Sequence, residues 1–181
     1  MSYILIFLVL IGLWAVVTYN RLIVLRGRVD NAWAQIDVQL KRRFDLIPNL
    51  VNTVKGYAQH EKETLEKVTE SRTKYLAANT PDEKLQANSE LGGALSRLFA
   101  VAESYPDLKA SANFLDLQNQ LKDTEDKIGF SRQFYNDTAM KYNIDIVKVP
   151  ASIIANLLGF KSRLYFEAEG ESRENVEVKF E

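Results

Sequence analysis

Few residues in this chain could do chemistry, and none has the companions that chemistry needs. The single histidine, His60, lies in Gln59-His60-Glu61-Lys62-Glu63, with Glu66 just beyond. An imidazole with carboxylates can hold a metal or relay a proton, but only when several such groups converge on one point. One imidazole within a run of charges is ordinarily a solvated side chain, and His60 is read that way. Paired carboxylates could serve acid–base or di-metal chemistry. Yet there is no Glu-x-x-His, Gly-x-Ser-x-Gly, phosphate loop or zinc-protease motif. The absence of cysteine excludes disulfides, thiol catalysis and thiolate ligands. No catalytic, cofactor-binding or metal site is expected, and the chain is read as a non-enzyme.

Polar groups at positions that should be apolar are more informative. Asp37, Arg42, Asp45 and Asn49 crowd the stretch around Pro48, and Glu125 and Arg132 fall on an otherwise apolar stripe. A lone buried charge is costly, so these groups should pair with one another or face a partner. A cross-helix network linking Glu125 or Arg132 to residues 42–49 is expected to set helix register. Removing Glu125 would then lower the melting temperature by several degrees.

The elements that position these groups are helical. Residues 3–19 carry no charge. At about 1.5 Å per residue they just span a hydrocarbon core of about 30 Å. Tyr3, Trp14 and Tyr19 suit the two interfaces. No basic residue precedes this run and no small-x-small site follows it, so it reads as an uncleaved anchor rather than a signal peptide. Arg21, Arg26 and Arg28 follow closely, which places the remainder in the cytoplasm by the positive-inside rule. The net charge of −1, with acids and bases mixed, gives no support to nucleic-acid binding.

Beyond the anchor, apolar residues recur at Leu22, Leu25, Val29, Trp33, Ile36, Leu40, Phe44, Ile47, Val51, Val54 and Ala58. Steps of three and four mark one helical face, and the 3-4-4 rhythm favours a nearly straight seam over a left-handed coiled coil. One long helix is expected, bent near Asp45–Pro48 and ending near Ala78. Thr80-Pro81-Asp82-Glu83 forms a capping box for a second helix running to about Ser104. Gly92-Gly93 either weakens that helix or admits another backbone closely. After a turn at Tyr105-Pro106-Asp107, Ser111 caps a third helix with the stripe Phe114, Leu117, Leu121, Glu125, Ile128, Arg132, Tyr135, Ala139 and Tyr142, stopping near Asn143. Pro150 opens a short helix closed by Gly159. Its Ile153, Ile154, Leu157 and Leu158, with Phe160, form a dense apolar cluster that either caps the core or contacts another copy, another protein or lipid. Up, down and up again along three helices would leave this cluster far from the anchor.

Several stretches are similar to the LemA family: Tyr19 to Leu22, Ala32 to Arg43, Asp45 to Val51, Val54 to Tyr57, Glu103 to Lys109, Glu125 to Ile128 and Arg132 to Asn136. The resemblance runs from the anchor to about Phe166. It implies a bacterial membrane protein with one anchor, an antiparallel helical bundle and no established enzymatic activity.

The resulting expectation is an all-α chain: an N-terminal transmembrane helix continuing into an elongated antiparallel bundle of three long helices plus a short C-terminal one. Residues 1–20 form the anchor, 21–166 the bundle and 167–181 a charged flexible tail. The expected role is a scaffold at the bacterial inner membrane that associates with its own copies. The other reading is an adaptor for another membrane protein, such as a protease or sensor kinase. A first-helix seam longer than its partners can cover, and the absence of any catalytic constellation, favour the scaffold.

Overall fold

A computed structural model of the chain describes residues 2–58 and 60–166. The expected tail at 167–181 lies outside the described residues. Among the described residues are six helices and no strand: α1 Ser2–Lys55, α2 Lys62–Ala77, α3 Pro81–Ala102, α4 Pro106–Lys109, α5 Ala112–Val147 and α6 Ala151–Leu157. The all-α expectation is met. α1 is long and apolar enough at its start to cross a membrane, and almost none of that stretch is buried.

The first helix departs from expectation in one respect. It continues through Pro48 to Lys55 and then stops, so the predicted single helix to Ala78 is really two. A proline inside a helix costs about 3 kcal/mol. Around Pro48, however, Phe44, Ile47, Leu50, Val51 and Val54 are all buried. At about 1.5–3 kcal/mol for each fully buried apolar side chain, packing outweighs the proline. The stop falls at Gly56-Tyr57, where tight turns (Gly56 N–H to Thr53 O, 3.3 Å; Tyr57 N–H to Val54 O, 3.0 Å) end the ladder.

The second start signal holds as read. Thr80 accepts from the Glu83 backbone N–H at 3.2 Å while the Glu83 carboxylate accepts from the Thr80 N–H at 3.1 Å, with Pro81 in the first turn. α5 starts after Ser111 but runs four residues past Asn143, because Asp145 and Ile146 are still needed in the core. α6 ends in a Schellman turn. Gly159 takes φ +70°, and the Phe160 N–H reaches back to Ala155 O at 2.9 Å.

The described residues divide into two compact units, one within residues 35–130 and one of residues 2–34 with 131–166. In the first, α2 and α3 pack antiparallel, with Lys74 bonded to Glu90 at 2.7 Å. α3 runs parallel to α1, as Asp37–Lys84 and Arg43–Asn88 show, and α5 runs against it through Arg43–Glu125. This is up-down-up-down packing of four helices. In the second unit, Leu22 and Val29 of α1 pack against Ala139, Tyr142 and Ile146 of α5, with Ala155 of α6 completing the cluster. The expected seam on α1 is therefore covered by its own chain: Leu22, Val29, Ile36, Leu40, Phe44, Ile47, Val51, Val54 and Ala58 are buried.

The glycine pair in α3 is resolved by space. A Cβ added at Gly92 or Gly93 meets nothing within 4 Å, so no backbone of this chain approaches there. Gly93→Ala should stabilise the helix by about 1 kcal/mol. A thermal melt should then shift upward by about 2–4 °C. An unchanged or lowered midpoint would show that the glycine serves something other than chain flexibility.

Candidate functional site

The polar centre of the 35–130 unit is Arg43. It is only 5 % exposed, donates from Nη1 to Asn88 Oδ1, and is ion-paired with Glu125. The guanidinium suits this position because its rigid fork can hold a carboxylate and an amide together in a nearly dry site. Asn88 is itself buried, whereas the Glu125 side chain is 49 % exposed. The cluster thus buries a cation together with an amide, and the sequence reading does not single out that cation.

The six polar residues expected to form a network divide as follows. Glu125 reaches Arg43, while its neighbour Arg42 is exposed. Asp37 is bonded to Lys84 at 2.6 Å, and the Lys84 ammonium also lies 5.8 Å from the Tyr75 ring centroid. Asp45 is exposed. Asn49 is exposed too, and lines a shallow groove with Thr53, Asn113 and Asp116. Arg132 is half-buried and belongs to the other unit. On α5 the fully buried position is Thr124 rather than Glu125. The reason is chemical: the Thr124 hydroxyl satisfies itself on Leu121 O at 2.8 Å, which a carboxylate cannot do. His60 is exposed in the α1–α2 connection. Among the described residues no group of three or more His, Asp or Glu side chains could hold a metal.

Tyr75 stacks on Phe44 with ring centroids 4.1 Å apart. Burial, then the nearby charges of Asp37 and Asp45, push its phenol up to about 12.

The 2–34 and 131–166 unit holds the apolar cluster. Ile153, Leu157 and Leu158 are 63 %, 78 % and 52 % exposed, and Ile154 is half-buried. Phe160 packs edge-on against Tyr19 at 6.1 Å, beneath the Arg26 guanidinium at 5.5 Å. Val149, Pro150 and Ala151 line a small pocket with Trp14, Thr18, Arg21 and Leu22. This corrects the expectation that the short helix lies far from the apolar start of α1. Because the break after Lys55 adds a helix, α5 runs back along α1 instead of away from it. Asp145, with its side chain 7 % exposed, is held at this point by Arg21 at 2.7 Å and also by Lys148.

Two asparagines have a role that the sequence did not reveal, Asn143 being read there only as a helix stop. Asn143 donates to Arg163 O and accepts from Arg163 N–H, both at 2.8 Å. Asn136 does the same with Phe166, at 2.9 and 2.8 Å. Seven residues of helix and three of extended chain both span about 10 Å, so the two amides clamp the segment after α6 along α5. Arg163 adds a 2.8 Å bond to Asp30, and Phe166 packs on Trp33 and Tyr135. The readable signal was two carboxamides seven apart on one helix.

The outward face of α5 is unusual. Phe134, Met140, Ile144 and Val147 are 45–69 % exposed, interleaved with Gln133, Asp137 and Lys141.

Comparison with known proteins places this geometry in context. The LemA family model matches residues 32–180. Protein LemA of Metamycoplasma hominis is 29 % identical over 183 aligned residues, covering 97 % of this chain and 82 % of that protein. Magnetosome protein MamQ 2 of Paramagnetospirillum magneticum is 27 % identical over 175, covering 82 % of this chain and 64 % of that protein. MamQ of Magnetospirillum gryphiswaldense is 25 % identical over 174, with the same coverage. The chain thus spans less than two-thirds of the magnetosome relatives it matches. None of these names denotes an enzymatic activity.

Two outcomes test the polar centre. Glu125→Ala takes a carboxylate from the nearly buried Arg43 guanidinium and should cost about 3–5 kcal/mol. Glu125→Gln keeps an acceptor for that guanidinium and should cost less than Glu125→Ala. Equal losses in urea unfolding would contradict this ranking. For Tyr75, the folded chain keeps the phenol neutral above its ordinary value near 10. Its contribution is complete below about pH 10 and is lost as pH rises towards about 12. Wild type should lose more stability across that window than Tyr75→Phe; parallel losses would remove Tyr75 from the account.

Proposed function

The chain belongs to the LemA family, and we propose that it is a non-enzymatic scaffold, held at a bacterial inner membrane by residues 3–19 and assembling with its own copies. The observation that carries self-assembly is the outward face of α5. Phe134, Met140, Ile144 and Val147 stand exposed where a solvated helix would carry polar side chains. Covering each with a matching surface is worth up to about 1.5–3 kcal/mol. Anchoring raises the local concentration of copies in two dimensions, so weak contacts become effective. The seam on α1 no longer supports this reading, since it is buried within the chain.

The uncharged stretch of α1 supports the anchor, and Arg21, Arg26 and Arg28 just beyond it favour a cytoplasmic bundle. The same α5 face would equally serve the adaptor reading, in which a different membrane protein covers it.

Light scattering of the full chain in mild detergent, with the detergent mass subtracted, separates these readings. The scaffold predicts a defined multiple of 20.7 kDa, reduced to one copy by Phe134→Glu with Met140→Glu at an unchanged melting temperature. A monomeric wild type would overturn self-assembly. Stoichiometric co-purification of another membrane protein would establish the adaptor.

A further inference from the structure

We propose that α6 and the turn before it dock on the membrane surface that α1 enters, lying in the headgroup layer beside the anchor. The inference rests on reading residues 3–19 as that anchor. Its first support is position. Val149, Pro150 and Ala151 share a pocket with Trp14 and Thr18, which belong to the apolar stretch itself. Thr18 is buried by its own chain. At about 1.5 Å per residue, Trp14 lies about 8 Å deeper than Tyr19 along the helix. Whatever covers Trp14 and Thr18 therefore sits at the edge of the bilayer.

The second support is the surface presented there. Val149 is 81 % exposed, and Ile153 and Leu157, one turn apart, project opposite the buried Ala155. In water this patch would be a liability, but at the bilayer boundary it is an insertion face, continuous with the apolar flank of α1.

Charge is the third support. Arg21 and Lys148 flank the turn, both substantially exposed, and Asp145 between them is buried and bridged by both. Lys161 is exposed just after α6. The cluster carries excess positive charge, which complements anionic headgroups.

Because the chain has no cysteine, single labels test this directly. Leu157→Cys, Leu8→Cys and Ser96→Cys would each carry an environment-sensitive nitrobenzoxadiazole probe. The full-length variants would be reconstituted in vesicles of phosphatidylcholine and phosphatidylglycerol containing spin-labelled lipid. The expected result is strong quenching at Leu8 and Leu157, with several-fold brighter emission than at Ser96, and none at Ser96. Quenching at Leu8 with a water-like probe at Leu157 overturns α6 docking and leaves the anchor intact. A shielded but unquenched Leu157 probe also overturns it, by showing that protein covers the helix. An unquenched Leu8 overturns the anchor, and the docking proposal with it.

Discussion

Asp145 is the point on which the packing beside the apolar start of α1 depends. A carboxylate buried under α1 is costly unless paired, and Arg21 and Lys148 both reach it. That arrangement fixes the register of α5 against α1 at the place where the apolar stretch ends. Trp33 against Tyr135, with ring centroids 6.4 Å apart, holds the same antiparallel register further along. With register set at both places, the turn at Val149–Pro150 lies beside Trp14 and Thr18. The exposure of α6 follows from that position.

The segment after α6 reinforces it. Asn136 and Asn143 each bond both polar groups of one extended residue, as a neighbouring strand would. Residues 160–166 are thereby held along the helices, with Phe160, Arg163 and Phe166 placed successively at Tyr19, Asp30 and Trp33. The 35–130 unit uses a different device, a buried cation. Arg43 draws Asn88 and Glu125 to one point, so α1, α3 and α5 share a polar centre that would be unsatisfied in another register.

What the sequence made legible was periodic or local. The α1 seam follows from spacing, the α3 start from Thr80, Pro81 and Glu83, and the α6 end from Gly159. What escaped depended on a competition between weak signals. Only Pro48 stood out as an interruption of the first helix, yet packing overrides the proline and the helix ends at Gly56. Missing that one break changed the count of long helices, and so moved α6 from one end of the chain's path to the other. Thr124 and Glu125 both fit the α5 stripe by spacing, and only the cost of burying a carboxylate separates them. The carboxamide clamp lay beyond periodicity, because its partner is extended chain distant in sequence. The polar residues around Pro48 were recognised as a group, while Arg43 at their centre was hidden among three consecutive cations.

The central claim is that the chain returns to the apolar start of α1, and it can be tested in membranes by proximity. Tyr19 and Phe160 have ring centroids 6.1 Å apart. The double variant Tyr19→Cys with Phe160→Cys, treated in membranes with a short bifunctional maleimide, should link rapidly within single chains, as identified by mass spectrometry of the joined peptides. Failure to link, or links found only between chains, would contradict the account.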